Sequence, residues 1–145
     1  MTVHRILDAQ QNRTPVHVAP DAVIADVLRS IAFEDIGAII VSSDGSRVEG
    51  IISEHDIVRG LRTIGPDLLS RPVRDLMTVK VATCVPNDPK VGIMALMVSK
   101  HVRHLPVVTD GKLVGMVSIR DLLKLRLDEV QSDAEAMRNY IAGAA

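Results

Sequence analysis

Hydrophobic and polar positions alternate at Val16-His17-Val18, the two-residue period of a half-buried strand. Pro20-Asp21 interrupts it, and Asp21 is placed to cap a helix. Ile24, Val27, Leu28 and Ile31 then recur at i, i+3, i+4, i+7, which predicts one apolar helix face, with Gly37 as its stop. Ala38 to Val41 is a short run rich in β-branched residues. Ser43-Asp44-Gly45 signals a turn before a strand over about 48–52, and Ser53 opens a second helix.

The same order returns from Val81. Asp88-Pro89 is expected as helix cap and first helical residue, and Val91, Met94, Ala95 and Val98 form the stripe. Asp110-Gly111 is the turn and Leu113 to Val117 the last strand. Gly65-Pro66 and Arg71-Pro72 mark the connection. Each half thus reads strand, helix, strand, strand, helix. The expected division is 1–70 for the first unit with its N-terminal segment and connection, and 71–145 for the second. A unit of this size is marginal alone, so a shared core is expected.

The final helix is predicted from Ser118 to about Ala142. Leu123, Leu127, Val130, Ala134, Met137 and Ile141 are spaced 4, 3, 4, 3, 4. That seam either packs on the chain's own body or meets a second copy of it.

The halves also share a motif. Gly50-Ile51-Ile52-Ser53-Glu54-His55-Asp56 returns as Gly115-Met116-Val117-Ser118-Ile119-Arg120-Asp121. Pro20 precedes Asp56 by 36 positions and Pro86 precedes Asp121 by 35, so the chain is an internal duplication. Taken singly, Ser followed three residues later by an acid is a capping box at a strand-to-helix corner. Taken twice at equivalent corners, it suggests two ligand sites. The helix N-terminus and serine hydroxyl suit a phosphate. Asp56 and Asp121 would repel one and suit ribose hydroxyls, as acids do in dinucleotide folds. Neither Gly-x-Gly-x-x-Gly nor a Walker A sequence occurs.

Composition narrows the possibilities. The 17 basic and 18 acidic residues are well mixed, giving a net charge of −1, and Phe33 and Tyr140 are the only aromatics. This argues against a nucleic-acid binder, which usually needs a basic stripe or stacking platforms. Cys84 is the single cysteine, so an internal disulfide is excluded and a buried place in a strand is expected. With no apolar run of about 18 residues and no signal-like start, the expected setting is cytoplasmic, without membrane association.

Val73-Arg74-Asp75-Leu76-Met77-Thr78, Arg103-His104-Leu105-Pro106-Val107-Val108 and the two Gly-x-x-Ser-x-x-Asp motifs together resemble the cystathionine β-synthase (CBS) domain family. The likeness is to its two-repeat, adenosyl-ligand-binding form and covers nearly the whole chain. It implies an α/β (α+β) fold of two β-α-β-β-α units packed about a pseudo-two-fold axis, with two clefts between them. In one cleft Asp56 would hold ribose and Ser53 phosphate, joined by Arg103 and His104 from the other repeat. Thr78, Lys80 and Val81 would border the adenine. In the other, Asp121 and Ser118 would take those roles, facing Gly37 and Ala38, with Arg13 and Val16 at the adenine edge. Gly37-Ala38 stands where Arg103-His104 stands in the second repeat. The Asp56 cleft therefore gains the cations and is expected to bind phosphate more tightly.

The resemblance implies a non-catalytic sensor of AMP, ADP, ATP, NAD or S-adenosylmethionine, without a required cofactor, commonly a homodimer, signalling to an unidentified protein. Two other readings stand beside it: a structural or interaction module that binds nothing, and a nucleotide hydrolase. No Ser or Cys nucleophile sits in a recognisable motif with a His base. His101 and His104 fall at a helix end and following loop with no Cys or convergent carboxylate, which disfavours a metal pair. His4, His17, Glu49 and Glu54 are expected at the surface.

Overall fold

The computed structural model describes residues 2–144. A short helix α1 (Val3–Ala9) precedes the first repeat: β1 (His17–Val18), α2 (Ile24–Glu34), β2 (Ala38–Val41), β3 (Gly50–Ser53) and α3 (Glu54–Ile64). Two 3₁₀ turns, Pro66–Ser70 and Val73–Asp75, connect it to α4 (Lys90–Lys100), β4 (His104–Thr109), β5 (Lys112–Ser118) and α5 (Ile119–Ala144). β2 lies between parallel β1 and antiparallel β3, while β4 and β5 form an antiparallel pair. The fold is the mixed α/β architecture expected, with a long final helix.

The second repeat lacks the strand expected from Val81. It keeps one parallel bridge, Cys84 to Val107, held by Cys84 N–H to Pro106 O (3.0 Å) and Val108 N–H to Cys84 O (2.9 Å). Pro106 occupies in β4 the place of Ile40 in β2. It has no N–H for the next rung, so the ladder stops. Cys84 is buried in this bridge, and burial, followed by the Asp88 carboxylate, pushes its thiol up to about 12.

Three expected helix ends are corrected. Asp21 does not cap α2: Val23 holds that position, and the Ile24 N–H bonds Arg71 O at 3.0 Å. Pro89 rather than Asp88 is the cap of α4, and the Asp88 carboxylate accepts from Val85 N–H at 2.9 Å. Gly37 does not end α2. Asp35 does, in the left-handed conformation (φ 51°), as His101 ends α4 (φ 54°).

The expectation of one shared core also fails. Apart from Ala38 and Ile40, the buried aliphatics form two clusters, and each is completed by a segment that precedes the other repeat. Val3, Ile6 and Leu7 of α1 join Ile93, Met97, Leu105, Val107, Val117 and Leu122 of the second repeat. Leu68 and Val73 join Ile24, Val27, Ile31, Ile39, Val41, Ile52 and Ile57 of the first. This exchange gives each small unit apolar surface that its own strands and helices do not supply. It also explains the motif glycines. A Cβ on Gly50 would collide with Met77, and one on Gly115 with Leu7.

On α5, Leu122 is buried and Glu129 is tied to Lys90 of α4 at 2.8 Å. The heptad seam does not pack on the chain's own body: Leu123, Leu127, Val130, Met137 and Ile141 are each 50–64% exposed.

Candidate functional site

The corner between β3 and α3 builds the site from local chemistry. Ser53 is the N-cap, and its Oγ accepts from Asp56 N–H at 3.2 Å. Asp56 Oδ2 accepts in turn from Ser53 N–H and Ser53 Oγ–H, both at 2.9 Å. The capping-box reading is therefore correct. It uses one carboxylate oxygen, and among the described residues Asp56 Oδ1 has no hydrogen-bond partner. The Glu54 N–H is already bonded to Gly37 O at 3.0 Å. The His55 N–H is left as the helix-end donor for an anion.

Beside this corner lies a cleft of about 840 Å³. Ser53 and Asp56 form part of its wall. A backbone exchange, Thr78 N–H to Ile51 O (2.9 Å) and Ile51 N–H to Thr78 O (3.0 Å), brings Thr78, Lys80, Val81 and Ala82 along one edge. From the second repeat, the left-handed turn at His101 delivers Arg103 and His104 to the far side. Gly37, assigned from the sequence to the other side, stands on the wall of this cleft. Its missing Cβ would lie 3.0 Å from the His104 ring, so glycine permits the histidine's approach.

Several lining residues were not singled out as ligand-binding from the sequence. Arg59 follows Asp56 by three and so shares its helix face, a signal that was available. Lys100 comes from the end of α4, and its proximity depends on tertiary packing. Glu54, expected in solvent, is exposed and also lines the cleft. Arg59, Lys80, Lys100 and Arg103 outnumber Glu54 and Asp56, so the hollow favours an anion.

The equivalent corner of the second repeat is built alike. Asp121 Oδ2 accepts from Ser118 N–H (2.8 Å) and Ser118 Oγ–H (2.9 Å). Ser118 and Asp121 do not line the cleft beside Asp56. Arg13 borders a separate recess of about 250 Å³ with Ala9, Gln10 and Gln11. Ala38 is buried in β2, and Val16 packs against the first repeat's core. Gly37 thus lines the Asp56 cleft, while Ser118, Asp121, Ala38, Arg13 and Val16 lie outside its lining.

Burial holds the His104 imidazole below its ordinary 6.5. The Asp121 carboxylate opposes this, Arg103 and Arg120 add to it, and Glu54 opposes it weakly. The folded state then binds fewer protons than the unfolded state between the lowered value and 6.5. Stability should be fully present above pH 6.5 and decline as pH falls through the lowered value. Urea midpoints from pH 7.5 to 5 should fall more steeply for the wild type than for His104→Gln; parallel profiles would contradict this.

Comparison with known proteins agrees with this architecture. The CBS domain family profile matches residues 8–63 and 73–128. The chain belongs to the CBS domain family as a tandem pair. It is 32% identical over 127 residues to CBSX3, a mitochondrial CBS domain-containing protein of Arabidopsis thaliana, covering 85% of this chain and 62% of that one. The chain therefore spans less than two-thirds of that relative's length. The structure superposes on a CBS-domain-containing protein from Agrobacterium tumefaciens with a TM-score of 0.82 and 32% identity, covering 87% and 99% of the two chains. It superposes on a CBS domain protein from Pyrobaculum aerophilum complexed with AMP with a TM-score of 0.73 and 27% identity, covering 83% and 89%.

Proposed function

We propose that this chain is a non-catalytic sensor that binds an adenosine-containing ligand in the cleft beside Asp56. The observation that carries the reading is Asp56 itself. Its Oδ2 is fixed by the capping box, while Oδ1 is left for a ribose hydroxyl at the edge of a hollow with cations on its far side. The His55 N–H, with Arg103 and His104, would take the phosphate, joined by Ser53 once its O–H turns away from Asp56 Oδ2. The aliphatic parts of Ile51, Val81 and Ala82 would enclose the base. AMP in the Pyrobaculum relative supports the ligand class. Among AMP, ADP, ATP, NAD and S-adenosylmethionine, the excess of cations favours those carrying phosphate.

The ligand would signal by favouring one arrangement of the repeats, since Asp56 belongs to the first and Arg103 to the second. The open apolar seam of α5 supports pairing with a second copy, and the buried Cys84 suits a reducing cytoplasm. Calorimetric titration of the full chain with AMP, ADP, ATP, NAD and S-adenosylmethionine tests the reading. Micromolar binding of at least one phosphate-bearing member without turnover is expected. Silence across the series would support a purely structural module, and release of a cleaved nucleotide would support a hydrolase.

A further inference from the structure

The second half of α5 runs clear of the body. Leu122 is buried, Leu125 packs against the second repeat's core, and Glu129 is tied to Lys90 at 2.8 Å. From Gln131 to Gly143 every residue is exposed. The family profile stops at residue 128, so this stretch lies beyond the repeat itself. A helix of about this length is marginal in water on its own, and packing of an apolar face is what ordinarily sustains it.

The face available is the seam. Leu123, Val130 and Met137 fall at the d positions of a heptad, and Leu127, Ala134 and Ile141 at the a positions. The five larger side chains are 50–64% exposed, so the seam passes from the body onto the tail without a break. A seam of this period fits another helix of the same period, which every copy of the chain carries.

The flanking charges fix the direction. In a parallel pair, each g position meets the e position five residues further along the partner. Asp133 stands at g and Arg138 at e. Parallel helices in register would set Asp133 against the partner's Arg138, and two-fold symmetry makes that pair twice. Arg126 would meet the neutral Gln131 of the partner subunit. Five apart on one helix, Asp133 and Arg138 are not neighbours of each other. Neither makes an ion pair among the described residues. Antiparallel helices sharing the whole seam would set Asp133 against its own copy and Lys124 against the partner's Arg138, both repulsive. Sliding them by one heptad removes the repulsion and leaves Met137 and Ile141 uncovered.

We propose that residues 123–141 of α5 are a self-association site, through which two copies of the chain join as a parallel, in-register coiled coil. The inference rests on the pairing with a second copy proposed above and specifies it; it is independent of the ligand.

Sedimentation equilibrium of the full chain, without ligand and at low salt, tests it. Wild type should be a dimer at micromolar concentration. Met137→Glu with Ile141→Glu, both on the exposed tail, should give a folded monomer. Asp133→Arg and Arg138→Asp should each weaken the dimer about tenfold, since two attractive pairs become repulsive. Combining the two should restore it. A monomeric wild type would overturn the proposal and the pairing with it. A dimer that survives Met137→Glu with Ile141→Glu would keep the pairing and overturn the role of α5. A dimer broken by those changes but not restored by the exchanged charges would overturn the parallel direction.

Discussion

Replacing Asp56 by alanine should weaken AMP binding about 10- to 100-fold. The estimate is the loss of one hydrogen bond to a charged group, about 1.5–3 kcal/mol, at about 1.4 kcal/mol per tenfold. Asp121→Ala should cost less affinity, because Arg103 and His104 line the cleft of Asp56 and Asp121 lies outside that lining. Both substitutions dismantle a capping box, so both should lower stability by a similar amount, about 1 kcal/mol. Matched destabilisation with unequal affinity separates ligand contact from helix capping. Isothermal titration of both variants, with urea unfolding alongside, makes the comparison. A larger affinity loss from Asp121→Ala would refute the assignment.

Leu7→Ala should destabilise the protein by about 2–5 kcal/mol, the usual cost of deleting a buried leucine. Leu7 is 6% exposed, lies ahead of the first repeat, and packs where the second repeat has Gly115 rather than a side chain. If α1 is part of the second repeat's core, its loss is felt as a core cavity. If α1 were a loose appendage, Leu7→Ala would behave like Phe33→Ala, an 87% exposed position where a change within about 0.5 kcal/mol is expected. Urea midpoints for the two variants, compared at equal slope, decide this.

The division between what could and could not be read from the chain follows distance along it. Ser53 and Asp56 are three residues apart, so sequence alone specified their corner, as it did for Ser118 and Asp121. The i, i+3, i+4 stripe of α2 and the turns at Asp44-Gly45 and Asp110-Gly111 are equally local. The resemblance added Arg103 and His104, which lie on the same cleft as Asp56 although about a third of the chain separates them.

What escaped depends on partners far away. Asp21 looked like a cap, but Arg71 O satisfies the helix instead. The strand before Pro86 shrank because a proline in β4, not anything in that segment, removes the next donor. The exchange of α1 and of the Leu68–Val73 region between repeats leaves no local signature, since an aliphatic residue does not say which core it enters. Gln10 reads as an ordinary polar residue after a helix. Its side chain donates to Met116 O and Asp121 Oδ2, 106 and 111 positions away.

The most direct test follows the backbone amide signals of the isotope-labelled full chain as AMP is added. Saturable shifts should concentrate at Ser53 to Asp56, Thr78 to Ala82 and Lys100 to His104, with Ser118 to Asp121 nearly still. Shifts centred on Ser118 and Asp121, or none anywhere at millimolar AMP, would contradict the account.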